Sequence, residues 1–301
     1  MQVSTRSFFR QQSENLQDLK GQIVKLQDEV SSGKQLTVPS EDPVAFSSLS
    51  MLKAKGARIE QFQRNIEAGR QHLNLEDNTL TQVANALTRI RELSVQAQND
   101  TLTANDRKSV GGEIRVLSDM IFDLANTTDT DGKPIFAGAI VDQAPFERSA
   151  DGSVAYRGDS TKIAQYVNDS TSVTVNNTGD DVFMKVATRD GSRKSIFEIV
   201  DSVANSLEKG LPPGDDLADV VSSLDSVTGC QTITGARMAA LDSETTRLSA
   251  DKLATSSHIS VLEDTDIEKA ITEMKQKLTS IDAAQSAFVK IADLSLFNYL
   301  R

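Results

Sequence analysis

The sequence is poor in the residue types from which catalytic and metal centres are usually built. Its 301 residues include no tryptophan, one cysteine and two histidines, and aromatic residues make up 5% of the chain. The single cysteine, Cys230, excludes a disulfide framework within one chain. Neither His72 nor His258 belongs to a recognisable metal-binding motif, so we expect no metal and no cofactor.

Long apolar runs and an excess of positive charge are also missing. No apolar stretch approaches the roughly 18 residues that indicate a membrane span. The net charge of −11 and the pI of about 4.8 give no basic surface for nucleic acid. We therefore expect neither a membrane nor nucleic acid as a partner. The opening MQVSTRSFF lacks the basic and apolar regions of a cleavable signal, which taken alone favours the cytoplasm.

Motifs of the common enzyme classes do not occur either. The chain has no P-loop, no G-x-G-x-x-G, no G-x-S-x-G and no H-E-x-x-H. Residues 127–132 superficially resemble a calcium loop, but Gly138 stands at position twelve, where such a loop needs a bidentate glutamate. We interpret this segment as a turn and predict that the protein is not an enzyme.

The sequence does contain many apolar residues at alternating steps of three and four, the spacing of helices that pack along a narrow stripe. The first helix is predicted from about Thr5 to Val30, and a closing helix begins at Ile267. The stripe of the first helix consists of Leu16, Leu19, Ile23, Leu26 and Val30. The closing helix carries Ile267, Ile271, Met274, Leu278 and Ile281, followed by the apolar tail residues Leu294, Leu296 and Phe297. We predict that the two stripes pair in an assembled state, which makes these thirteen residues the candidate assembly interface.

Helices also dominate the middle of the chain. Twelve positions between Ile59 and Ala97 keep the same spacing and predict a long second helix, which forms an antiparallel hairpin with a third helix beginning near Thr103. Helix is predicted again over Ile196–Leu207, where Pro212 and its neighbours stop it, and a last long helix begins near Asp215.

Between these helices the composition changes to turn-forming and β-branched residues. Pro134–Gly138 is predicted as a short strand and residues 149–153 as a hairpin turn. The fold class is mainly α, with an elongated shape, paired terminal helices, a central bundle and a small β-rich insertion. The predicted domains are 1–40 with 265–301 as a terminal coiled coil, 41–130 with 191–264 as a helical bundle, and 131–190 as an outer insertion.

Several of these segments resemble the bacterial flagellin family. LQDEVSSGKQLTVPSEDP (26–43) and IRELSVQAQNDT (90–101) are similar to two of its motifs, although Glu41 stands where aspartate is usual and Asp100 where many members have glycine. Leu124–Gly138 and the Leu294–Phe297 tail are also similar to family sequences. The resemblance covers roughly two thirds of the chain and is loose over residues 140–230.

The resemblance implies an extracellular, axial component of the bacterial flagellum, exported unfolded by the flagellar type III apparatus with an export chaperone. It replaces the cytoplasmic location, because the family's export signal is an uncleaved N-terminal segment. Pro43 and the Phe136–Gly138 stretch favour the branch that joins hook to filament. That branch implies self-association into a ring or layer, with hook-associated protein 1 on the hook side and flagellin on the filament side. Flagellin itself is the alternative, and a cytoplasmic coiled-coil adaptor a more distant one.

Overall fold

The computed structural model describes the backbone of residues 2–299 and the side chains of residue 7 and residues 10–291. The predicted class, mainly α with paired terminal helices and a small β insertion, is confirmed. The helices are α1 (Gln2–Ser32), α2 (Pro43–Ala97), α3 (Ala104–Ala125), α4 (Ile196–Glu208), α5 (Asp216–Glu263) and α6 (Ile267–Tyr299). Gly33 ends α1 in the left-handed region, with φ 71°, which is the role expected of a glycine directly after a helix.

The β structure consists of two-stranded antiparallel hairpins between α3 and α4. They pair β1 (Phe146–Arg148) with β2 (Val154–Tyr156), β3 (Ala164–Tyr166) with β4 (Ser172–Thr174), and β5 (Val186–Ala187) with β6 (Arg193–Lys194). The turn predicted at 149–153 joins β1 to β2 and is confirmed: Ser149 N donates to Ser153 O at 2.8 Å, and Gly152 takes φ 86°.

The strand predicted at Pro134–Gly138 is wrong. Pro134 makes only an isolated bridge to Thr128, which closes a turn, and Gly138 leaves the extended region at φ 73°. Phe136 O accepts hydrogen bonds from the Tyr156 hydroxyl at 2.9 Å and from Gly179 N at 2.8 Å. The backbone of this buried segment is therefore occupied by tertiary contacts and has no neighbouring strand.

The chain divides into two compact units, which we call the terminal unit (residues 1–58 and 251–301) and the central unit (59–250). In the central unit, eleven of the twelve predicted α2 stripe positions are buried and the twelfth, Phe62, is half-buried. The long-helix prediction is confirmed. Four phenylalanines cluster in the core that contains part of this stripe: the ring of Phe183 lies 5.2 Å from Phe136, 5.3 Å from Phe146 and 5.8 Å from Phe197 between centroids.

The predicted α2–α3 hairpin is confirmed. Arg89 Nη2 lies 2.7 Å from a carboxylate oxygen of Glu113, and Arg107 Nε donates to Ala97 O at 3.1 Å, so the two helices run antiparallel. Thr103 begins α3 with a reciprocal capping box to Asp106, which satisfies backbone donors at the helix start.

Candidate assembly interface

In the terminal unit, α1 and α6 form an antiparallel pair. Near the end of α1, Lys34 makes a backbone bridge to Asp264, and Thr265 N donates to Gly33 O at 2.9 Å. Three turns earlier in α1, Lys277 Nζ donates to Gln22 Oε1 at 2.6 Å. Still earlier residues of α1, among them Leu16 and Leu19, line a groove together with Ala284. Residues earlier in α1 therefore contact residues later in α6, so the two helices run antiparallel.

The stripe predicted on α1 is the face that packs. Leu26 is buried, with 8% of its surface exposed, and Leu16, Leu19, Ile23 and Val30 are half-buried. Val24 lies beside this stripe but is 56% exposed. The five residues at heptad spacing therefore form the less exposed face of α1, and their role in assembly stays a prediction.

On α6 the single chain packs only part of the predicted set. Ile281 is buried and Ile271 and Met274 are half-buried, but Ile267 and Leu278 are 48% and 44% exposed. The prediction for Ile267 and Leu278 concerns the assembled state and stays a prediction. The less exposed stripe is instead formed by Ala270, Met274, Lys277, Ile281, Ala284 and Phe288.

This stripe keeps steps of four and three but uses small and amphipathic residues. Alanines such as Ala270 allow the helices to approach closely, and Lys277 packs its aliphatic stem while its amine reaches Gln22. The predicted stripe contains only large apolar residues and so includes Ile267 and Leu278. The stripe that packs in the single chain is recognisable from the sequence only if alanine is accepted as a packing residue. The predicted tail residues Leu294, Leu296 and Phe297 lie outside the described side chains.

A buried carboxylate fastens the connectors of the terminal unit. Glu263, whose side chain is 8% exposed, lies 2.6 Å from Lys34 Nζ and 2.9 Å from Lys53 Nζ. Hydrogen bonds from Lys34 and, to a smaller extent, from Lys53 hold the pKa of Glu263 below its usual range. The carboxylate thus links the segment after α1, the start of α2 and the end of α5. Sequence analysis missed it, because no local spacing indicates that these residues meet.

The central unit has a second buried carboxylate with a different environment. Glu76 occupies one position of the α2 stripe and is fully buried. It accepts hydrogen bonds from Asn177 N and Thr234 Oγ1, each at 3.0 Å, and from Asn177 Nδ2. Burial raises the pKa of Glu76, since the ionised form loses water. This group connects α2, α5 and the β-rich insertion.

The described residues offer no group of His, Cys, Asp and Glu side chains that could hold a metal ion. Cys230 is half-buried, and burial raises the pKa of its thiol to about 11, so it is protonated at neutral pH. In the part of the chain that the structure describes, no helix is long and apolar enough to cross a membrane.

Comparisons with known proteins match both ends of the chain. Residues 3–140 match the bacterial flagellin N-terminal helical region, and residues 217–300 match the bacterial flagellin C-terminal helical region. The flagellar hook-associated protein 3 of Escherichia coli is 30% identical over 99% of this chain and 99% of its own length. That of Salmonella typhimurium is 27% identical over 100% of both chains.

A solved structure supports the same fold. The crystal structure of the flagellar junction protein of Legionella pneumophila aligns with a TM-score of 0.63 at 22% identity. The alignment covers 72% of this chain and 100% of that one. The two family matches, residues 3–140 and 217–300, include nearly all of α1 and α6.

Proposed function

The chain belongs to the bacterial flagellin family, and on that basis we propose that it is the structural component that joins the hook of a bacterial flagellum to its filament. The relatives that match over their full length are hook-associated proteins, which favours the junction over the filament subunit as its place. The protein acts outside the cell as part of the flagellum. It has no catalytic role in this proposal, in keeping with the lack of enzyme motifs in the sequence.

The observation that carries this proposal is the thin packing of the α1–α6 pair. Leu26 and Ile281 are the large apolar residues of these helices that are buried among the described side chains. Burying a leucine or isoleucine stabilises the folded state by about 1.5–3 kcal/mol. Two such residues therefore leave the helix pair only marginally stable by itself. Val24, Ile267 and Leu278 remain exposed on the same helices. We propose that neighbouring subunits cover them.

The partners follow from this place in the flagellum. We propose self-association into a ring or layer, contact with hook-associated protein 1 on the hook side, and contact with flagellin on the filament side. An export chaperone would hold the terminal segments before assembly. The acidic charge of −11 supports this order, since it keeps the free chain soluble until it docks.

We also propose that the three predicted domains are the functional layers. Residues 1–40 with 265–301 form the inner coiled coil, 41–130 with 191–264 the next layer, and 131–190 the outermost. The helices are interrupted at residues 33–42 and 264–266, and these interruptions support separate roles for the terminal helices.

Deleting the gene in the source bacterium tests the proposed place. We expect hooks without filaments and unpolymerised flagellin in the medium, because the filament has no base on which to grow. Hooks that end in their adaptors with no flagellin in the medium would identify the filament subunit instead. Filaments of normal length would contradict both.

A single substitution tests the proposed interface. Ile23→Asp puts a charge on the packed stripe of α1, and we expect the chain to be secreted but absent from isolated flagella. Gln27→Asp, on the exposed face of the same helix, is the matched control and should be incorporated normally. Normal incorporation of Ile23→Asp would show that this stripe is not needed for assembly.

A further inference from the structure

An apolar groove opens on the surface of the terminal unit between the first turns of α2 and the end of α5. It has a volume of about 560 Å³. Met51 and Leu52 form one apolar wall and Val261 and Leu262 the other. Met51 and Val261 are 65% and 73% exposed, so the single chain leaves the groove unfilled.

The rim of the groove is basic in a chain that is acidic. Lys55, Arg58 and His258 line it, and none of its lining residues is acidic. A binding partner for this surface therefore needs an apolar side chain with carboxylates around it.

The same unit carries such a feature at the start of α6. Ile267 projects from the first turn with 48% of its surface exposed, and Asp264, Asp266 and Glu268 surround it in the sequence, all exposed. It is one of the residues predicted for assembly that the α1–α6 pair does not use. Because Ile267 and Val261 both stay exposed, this acidic knob does not fill the groove of its own chain.

We propose that the groove receives the acidic knob around Ile267 of a second copy of this chain. The apolar side chain enters between Met51 and Val261, and the surrounding carboxylates face Lys55. The two surfaces differ, so the contact is head-to-tail and repeats from copy to copy into a ring or an open helix. The inference rests on the proposed self-association and identifies the surfaces that carry it.

Charge reversal tests the contact in flagella. Lys55→Glu and Glu268→Lys each place like charges together, and both positions are exposed, so folding should be unaffected. We expect each single variant to lower the amount of chain retained on isolated hooks by about tenfold or more. The Lys55→Glu/Glu268→Lys double variant restores opposite charges on every contact and should recover most of that loss. Lys108→Glu, an exposed site outside the groove, is the control for net charge.

Cross-linking provides a second measurement that does not depend on charge. In a Cys230→Ser background, a chain with both Met51→Cys and Ile267→Cys should give a ladder of linked copies when assembled hooks are treated with a short bismaleimide. A chain with Met51→Cys alone should give none.

The outcomes separate this inference from the proposed function. Wild-type retention of both single variants, failure of the double variant to recover, or absence of the ladder would overturn the knob-and-groove contact. Absence of the unmodified chain from hooks would instead overturn its place at the junction.

Discussion

The two units of this chain bury their apolar residues to very different extents. The central unit encloses a continuous core along α2, α3 and α4, with four phenylalanines at its centre. In the described part of the terminal unit the buried apolar residues are Leu26, Leu36, Leu49, Ala270 and Ile281. The central unit has the core of an independently folding domain. The terminal unit has far fewer buried apolar residues, and we propose that neighbouring subunits supply the contacts that stabilise it.

The buried carboxylates show the same contrast. Glu263 in the terminal unit is paired with Lys34 and Lys53, and these partners lower its pKa. Glu76 in the central unit is surrounded by neutral donors from Asn177 and Thr234, and burial raises its pKa. The enclosed environment of Glu76 accompanies tight packing, whereas Glu263 lies among half-exposed lysines in a thinly packed unit.

The largest effect is expected from a cavity in the central core. Phe183→Ala removes a fully buried ring that contacts three other phenylalanines. We expect the free energy of unfolding to fall by about 3–5 kcal/mol, measured by urea denaturation of the purified chain. Phe183→Leu keeps most of the volume and should lose less. A loss below 1 kcal/mol for Phe183→Ala would show that the central unit does not depend on this core.

The corresponding truncation in the terminal unit should leave the central unit intact. Ile281→Ala removes the one large apolar residue of α6 that is buried among the described side chains. We expect the main unfolding transition to move by no more than about 0.5 kcal/mol, since the variant weakens only the helix pair. Incorporation into flagella should nevertheless fall sharply. Destabilisation of the main transition as large as that of Phe183→Ala would remove the distinction between the units.

A smaller effect is expected at the start of α3. Thr103→Ala removes the hydroxyl of the capping box with Asp106, and the loss should be about 1 kcal/mol by urea denaturation. Thr103→Ser keeps the hydroxyl and is the matched control. Equal stability of the alanine and serine variants would show that the cap contributes nothing.

The pH dependence of Glu263 gives the smallest and most specific effect. Its pKa is lower in the folded protein than its ordinary value of 4.5, so its stabilisation is complete above pH 4.5 and disappears as the pH falls through the folded pKa. In thermal melts, Glu263→Gln should lower the stability of the terminal unit at neutral pH and lose this difference in acid. Glu76 acts in the opposite direction, because its raised pKa favours the folded state as the pH falls towards 4.5. A difference between Glu263→Gln and wild type that stays constant with pH would contradict this reasoning.

Sequence periodicity predicted the parts of this fold that depend on large side chains at regular spacing. The α2 stripe from Ile59 to Ala97 was identified correctly. The predicted α1 residues from Leu16 to Val30 lie on the less exposed face of their helix. On α6, Ala270 and Lys277 pack in the single chain, whereas Ile267 and Leu278 stay exposed.

Contacts between distant segments could not be predicted. Glu76 meets Asn177, 101 residues away, and Glu263 meets Lys53, 210 residues away. The prediction of a strand at Pro134–Gly138 was wrong for the same reason, because the carbonyl of Phe136 accepts hydrogen bonds from the distant Tyr156 and Gly179. Such contacts are decided by tertiary packing, which a single sequence does not display.

Hydrogen exchange of the free chain and of the chain in isolated flagella tests the assembly role of the terminal helices most directly. In the free chain, amides of residues 10–32 and 267–291 should exchange much faster than those of residues 73–97, because few buried contacts hold the α1–α6 pair closed. In flagella the two terminal helices should become as protected as the central ones. Equal protection of terminal and central helices in the free chain, unchanged on assembly, would contradict the proposal that neighbouring subunits complete this pair.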